Sequence, residues 1–176
     1  MYLDFIVLFF EYFRTLSKRV FIFEWIIPFL ISIGVFISIR INNSENCFLN
    51  YRENIISLFG VLIGFSITII TLLLTANGEN IKKLQEKLTD YKIGKRQLSL
   101  YELMIMNFSY SIAMEVIVII INLFFPAFNS YLQLSFATKL ILFSINAMLV
   151  GHILLLNLRN ICDLYFSLVT NSEEKK

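Results

Sequence analysis

Three polar side chains lie where nearly everything around them is hydrocarbon: Glu115 in MEVIVIIINLFF, Asn146 in FSINAML and His152 in VGHILLL. A carboxyl and an imidazole within reach of each other can pass a proton or hold a cation, and the carboxamide can hydrogen-bond to either. In a lipid-like setting the same trio can also act as a hydrogen-bonded staple between helices around a protonated Glu115. The sequence leaves both roles open. It supplies no usual catalytic constellation beside them, because His152 is the single histidine and no Gly-rich phosphate loop, metal cluster or nucleophile elbow occurs. Position 147, five before His152, is Ala147, which breaks the Arg-x4-His pattern of a membrane-bound ribonuclease. The chain is therefore read as not an enzyme and without a cofactor. Cys47 and Cys162 have no neighbouring ligand at metal spacing.

The elements that carry these groups follow from composition. Of the 176 residues 57% are hydrophobic and 16% charged, too apolar for a soluble domain of this size. Four stretches approach the ~20 residues needed to cross ~30 Å of hydrocarbon as a helix. They run over 21–40, 54–76, 102–125 and 137–158, and none has the strict alternation of a transmembrane β-strand. The expected fold is all-α, a four-span membrane bundle with loops at 41–53 and 126–136, a longer one at 77–101 and a tail at 159–176.

Charge sets the orientation. Of the 15 Lys and Arg residues only Arg40, Arg52 and Lys139 fall on one side of these spans. The rest put both termini and the 77–101 loop in the cytoplasm of a bacterial inner membrane. Residues 1–20 carry Asp4 in place of a basic n-region and lack a cleavage site, so the segment is expected to be retained. A helix lying in the inner interface or folded back on the bundle is the expectation, with a re-entrant leg as the alternative. In the first span Pro28 removes a backbone donor, Trp25 reads as an interfacial anchor and Glu24 as reaching headgroup water. Asn107, Ser109, Ser111 and Asn122 spread further polarity through the third span, as pore lining or as interhelical hydrogen bonding.

Ser57, Gly60, Gly64, Thr68, Thr71 and Thr75 recur at intervals of three and four, forming one small-residue face that contains a G-x-x-x-G. Such a seam serves packing within the subunit or a surface shared between subunits. Beyond it, Asn77-Gly78 reads as a helix stop and Asn80 as the N-cap of an amphipathic helix with Ile81, Leu84, Leu88 and Tyr91 on its apolar face. Ile93-Gly94 ends that helix, and Ser99 with Glu102 has capping-box spacing at the start of the third span. The loop carries Lys82, Lys83, Lys87, Lys92, Lys95 and Arg96, a basic surface suited to a cytosolic protein or to anionic lipid.

This arrangement of an interfacial start, the Ser57–Thr75 small-residue span, the Glu79–Arg96 basic loop and a polar-spotted last pair of spans resembles the small four-span membrane proteins of bacterial antiphage systems. The membrane subunit of the Kiwa system is one such protein, and the small membrane proteins of type VI CRISPR loci are others. The resemblance implies a homo-oligomeric, tetrameric platform whose cytoplasmic loop holds an effector that engages nucleic acid, with no direct nucleic-acid contact by this chain. Two further functions stand beside that scaffold and sensor: a pore that depolarises the membrane, and a small transporter, the latter weakened by the lack of an internal repeat.

Overall fold

The computed structural model describes residues 2–42, 47–76, 78–93 and 96–173. Helix dominates. In chain order the elements are α1 (Tyr2–Arg14), α2 (Lys18–Phe21), a π turn (Ile22–Ile26), α3 (Ile27–Asn42), α4 (Cys47–Thr75), α5 (Glu79–Glu86), strands β1 (Leu88–Ile93) and β2 (Arg96–Ser99), α6 (Leu100–Leu132) and α7 (Phe136–Glu173). Four helical stretches are long and apolar enough to cross a membrane: Lys18–Asn42, Tyr51–Thr75, Leu100–Leu132 and Phe136–Ser167. Their burial is inverted relative to a water-soluble core. Phe29, Leu30, Ile31, Val61, Leu72, Leu123 and Phe124 lie outward, while Glu24, Ser66, Ser111, Glu115, Asn122, Asn146 and His152 lie inward.

The expected loops shorten where helices run on. Most of 126–136 is the end of α6, which continues through Pro126 to Leu132. A proline removes one backbone bond, but flanking Phe124, Phe125, Ala127 and Phe128 keep the segment apolar, and helices in such surroundings tolerate the loss. The reversal comes at Gln133, in the left-handed region at φ 46°, and Ser135 Oγ accepts the Thr138 amide at 3.3 Å to open α7. Likewise α4 starts at Cys47, inside the segment expected to be the 41–53 loop, and α7 extends to Glu173 through most of the expected tail.

The 77–101 connection departs from expectation more sharply. Helix α5 begins after Gly78 as N-cap, two residues before the predicted Asn80 cap would allow, and ends at Glu86. Leu88 and Tyr91 belong to strand β1, not to a helical face. Antiparallel pairing sets Leu88 opposite Ser99, Lys92 opposite Gln97 and Ile93 opposite Arg96, and Thr89 Oγ1 donates to the Leu98 carbonyl at 2.8 Å. The residues Thr, Tyr and Ile at alternate positions favour a pleated strand over a helix. At the other end of the hairpin the expected capping box is present: Glu102 N donates to Ser99 Oγ at 3.2 Å and Ser99 N to Glu102 Oε2 at 3.0 Å.

The chain divides into two compact units. One contains residues 1–17, 65–112 and 156–176. Its core gathers Ile69 and Leu73 of α4, Ile81 and Leu84 of α5, and Met104 and Phe108 of α6. Ile81 and Leu84, three apart, fix the amphipathic helix by its apolar face, and Tyr101 Oη donates at 3.3 Å to the Leu73 carbonyl in the open last turn of α4. Helix α1 is part of this unit. Its fully buried Tyr12 ring stacks on Tyr110 at 3.6 Å, Phe9 meets Tyr110 edge-on at 5.1 Å, and the Arg159 guanidinium lies 5.9 Å from the Tyr12 ring. The amino-terminal helix is thus folded back onto helices α6 and α7. The second unit contains residues 18–64 and 113–155.

Candidate functional site

The second unit holds the polar core that the sequence singled out. It starts from Pro28. A helical amide at position 28 would donate to the Glu24 carbonyl, and proline has none to give. The chain widens there into the π turn Ile22–Ile26, in which the Ile27 amide reaches back to the Ile22 carbonyl. His152 of α7 lies with Nδ1 2.9 Å from the Glu24 carbonyl. Because the carbonyl can only accept, Nδ1 carries the proton and takes the place of the missing amide. The imidazole also lies against the Trp25 indole, centroids 4.2 Å apart.

Close approach makes this contact possible. A Cβ built on Gly151 would stand 3.1 Å from Pro28 Cβ, tighter than ordinary packing. Gly151→Ala is expected to lower stability by about 1–3 kcal/mol, read as a lower thermal unfolding midpoint in detergent. Four residues beyond Pro28, Ser32 Oγ donates to the Ser144 carbonyl at 2.6 Å, and Glu24, Pro28 and Ser32 form one buried stripe at helical spacing. Glu24 is fully buried, so it does not reach headgroup water as its position near the end of the span suggested, and Trp25 packs against His152.

Glu115, on α6, is fully buried in the same unit, as is His152. Asn146 is engaged elsewhere: its Nδ2 donates to Asn122 Oδ1 at 2.9 Å, and Asn122 Nδ2 donates back at 3.1 Å. Asn122 Nδ2 also lies 2.8 Å from the Val118 carbonyl. A reciprocal carboxamide pair satisfies both groups across α6 and α7 and leaves Asn146 little capacity for Glu115. Two fully buried carboxyl groups, Glu24 and Glu115, thus share a unit with a histidine whose Nδ1 is already committed. In the first unit Ser111 Oγ donates to Asn157 Oδ1 at 3.0 Å, a further interhelical bond, while both side-chain polar atoms of buried Asn160 lack a hydrogen-bond partner among the described residues.

The seam residues Ser57, Gly60, Gly64, Thr68, Thr71 and Thr75 are all exposed. At ~100° per residue they fall within about 80° of one another, and the buried residues of the same helix, Ile55, Phe59, Ser66, Ile69 and Leu73, centre on the opposite side. A Cβ at Gly60 or Gly64 would meet nothing within 4 Å among the described residues beyond its own helix. Thr71 Oγ1 donates to the Ile67 carbonyl at 2.9 Å and Thr75 Oγ1 to the Thr71 carbonyl at 2.7 Å, so these hydroxyls are satisfied within α4.

In the basic loop Lys82, Lys87, Lys92 and Arg96 are exposed and Lys83 is half-buried, while Lys95 lies outside the described residues. Arg96 pairs with Glu102, so one of the cations also braces the start of α6. Among the described residues no group of His, Cys, Asp and Glu is placed to hold a metal ion. No family model, curated protein or solved structure matches the chain.

Proposed function

We propose that this chain is a four-span inner-membrane subunit, with both termini and the α5–β2 segment in the cytoplasm, that self-assembles through the outward face of α4 and docks a soluble effector on its basic hairpin. One observation carries the reading: on a helix long enough to span a membrane, a Cβ at Gly60 or Gly64 would meet nothing within 4 Å among the described residues beyond that helix. Close-packing faces of this type are used between membrane helices, where lipid offers no hydrophobic drive and association depends on backbone approach. The threonines farther along are bonded to their own helix, which favours a packing surface over a wet path. In the second unit Asn122 pairs with Asn146, Ser32 bonds the Ser144 carbonyl and His152 bonds the Glu24 carbonyl, which supports a scaffold more than a pore.

The docking half of the proposal rests on exposed Lys82 of α5, Lys87 at its C-cap and Lys92 of β1, with α5 itself anchored through Ile81 and Leu84. An effector with an acidic patch fits that surface. The antiphage setting and the tetramer are carried over from the resemblance and stand as part of the same proposal. The test is charge reversal of Lys82, Lys87 and Lys92 to Glu in the chain expressed from its own operon. Loss of the co-purifying effector with an unchanged oligomer is the expected outcome; full retention of the effector removes the docking claim.

A further inference from the structure

The second unit contains a cavity of about 340 Å³ between the start of α4, the end of the apolar part of α6 and the start of α7. That volume falls within the ~300–1,000 Å³ of small-ligand sites. Its walls are mostly Ile, Leu and Phe, among them Ile121, Leu142 and Phe143, with the Asn122–Asn146 pair on one side. A space of this polarity offers water few of the two to four partners it needs.

The charged groups on the wall are of one sign. Arg52 and Lys139 both line the cavity, each half-buried, and among the described residues no Asp or Glu lines it with them. Tyr51, held edge-on against Phe143 at 4.6 Å, also lines it and keeps a buried hydroxyl with no hydrogen-bond partner among the described residues. A buried hydroxyl left unmatched is costly, so the arrangement favours a ligand that brings an acceptor. Two cations and a spare donor around an apolar chamber describe the complement of a molecule with an anionic head and a hydrocarbon body.

We propose that this cavity is a binding site for an anionic phospholipid of the outer leaflet, one acyl chain occupying the chamber and the phosphate seated on Arg52 and Lys139 within reach of Tyr51. The proposal rests on the reading of the four long helices as membrane spans, with Arg52 and Lys139 at their outer ends. A lipid bound there joins α4, α6 and α7 by their outer turns, so the composition of the leaflet becomes an input to the subunit. That is the kind of input a membrane sensor requires.

The test uses the full chain in mild non-ionic detergent, titrated with palmitoyl-oleoyl phosphatidylglycerol and separately with palmitoyl-oleoyl phosphatidylcholine, with bound lipid counted by native mass spectrometry. Phosphatidylglycerol is expected to bind roughly tenfold more tightly, and Arg52→Gln with Lys139→Gln to erase the preference. Leu149→Trp, which fills the chamber from another wall, is expected to reduce binding of both lipids while the thermal midpoint shows the variant folded. Equal affinity for the two lipids, or a preference that survives the double substitution, overturns the site. Tighter binding of free palmitate than of phosphatidylglycerol overturns the phospholipid assignment. A carbonate wash of the membranes separates the levels: protein that stays in the membrane yet shows no lipid preference refutes this site alone, whereas protein released by carbonate refutes the membrane reading and the site with it.

Discussion

Gly60→Ile with Gly64→Ile is expected to convert the oligomer proposed for the detergent-solubilised protein to monomer while leaving the monomer's thermal midpoint within a few degrees of the parent. The expectation comes from space. A Cβ added at either glycine meets nothing within 4 Å among the described residues beyond its own helix, so the fold offers no clash there. A neighbouring helix seated on the same face would be pushed out by at least the width of a branched side chain, and the close contacts that hold membrane helices together fall away with distance. Self-association should weaken by roughly a hundredfold, about 2.8 kcal/mol at ~1.4 kcal/mol per decade. Mass photometry across a dilution series reads it directly. An oligomer that persists at the same concentrations places the subunit contact elsewhere, and a destabilised monomer means the face is covered by its own chain. Ser57→Leu and Thr71→Leu extend the test along the helix, and the same pattern of lost assembly with preserved fold is expected from each.

The four long helices were legible because their signal is compositional: some 20 apolar residues in a row admit few structures. The Ser99–Glu102 capping box was legible for a different reason, since it depends on two side chains a fixed three residues apart. Helix ends were not. The third span was expected to end at 125, yet α6 runs on through Pro126 to Leu132 with apolar residues on both sides of the proline. The β-hairpin was hidden by coincidence of period, because Ile81, Leu84, Leu88 and Tyr91 fit a helical face although the last two lie in a strand on opposite faces, Leu88 with Lys92 and Tyr91 with Thr89 and Ile93.

The polar core was legible as a set of residues and not as a set of bonds. Position along a span gives depth, and depth suggested that Glu115, Asn146 and His152 could meet. Which groups bond depends also on the rotation of each helix about its axis, which a single sequence does not fix when the hydrophobic stripe runs all round. Asn146 therefore pairs with Asn122, and His152 bonds to the main chain of Glu24. One signal did point there: a proline inside a span announces an orphaned carbonyl four residues earlier, and a buried donor on a neighbouring helix is its natural complement.

That complementarity makes a quantitative expectation possible. His152→Leu keeps most of the volume but removes the donor to the Glu24 carbonyl, and a cost of about 1–3 kcal/mol is expected for the acceptor left buried. Pro28→Ala returns an amide to the position from which an ordinary helical bond to that same carbonyl can form. In the Pro28→Ala background His152→Leu should therefore cost less, by about 1 kcal/mol, a coupling of the size measured for hydrogen bonds between membrane helices. Unfolding of the four proteins in mixed micelles closes the cycle. Additive losses would mean that His152 is held by its packing on Trp25 and that its bond to the main chain contributes little; a positive coupling assigns it the work of the amide that Pro28 lacks. Two residues 124 positions apart in sequence would then be a single structural device, with Gly151 permitting the approach between them.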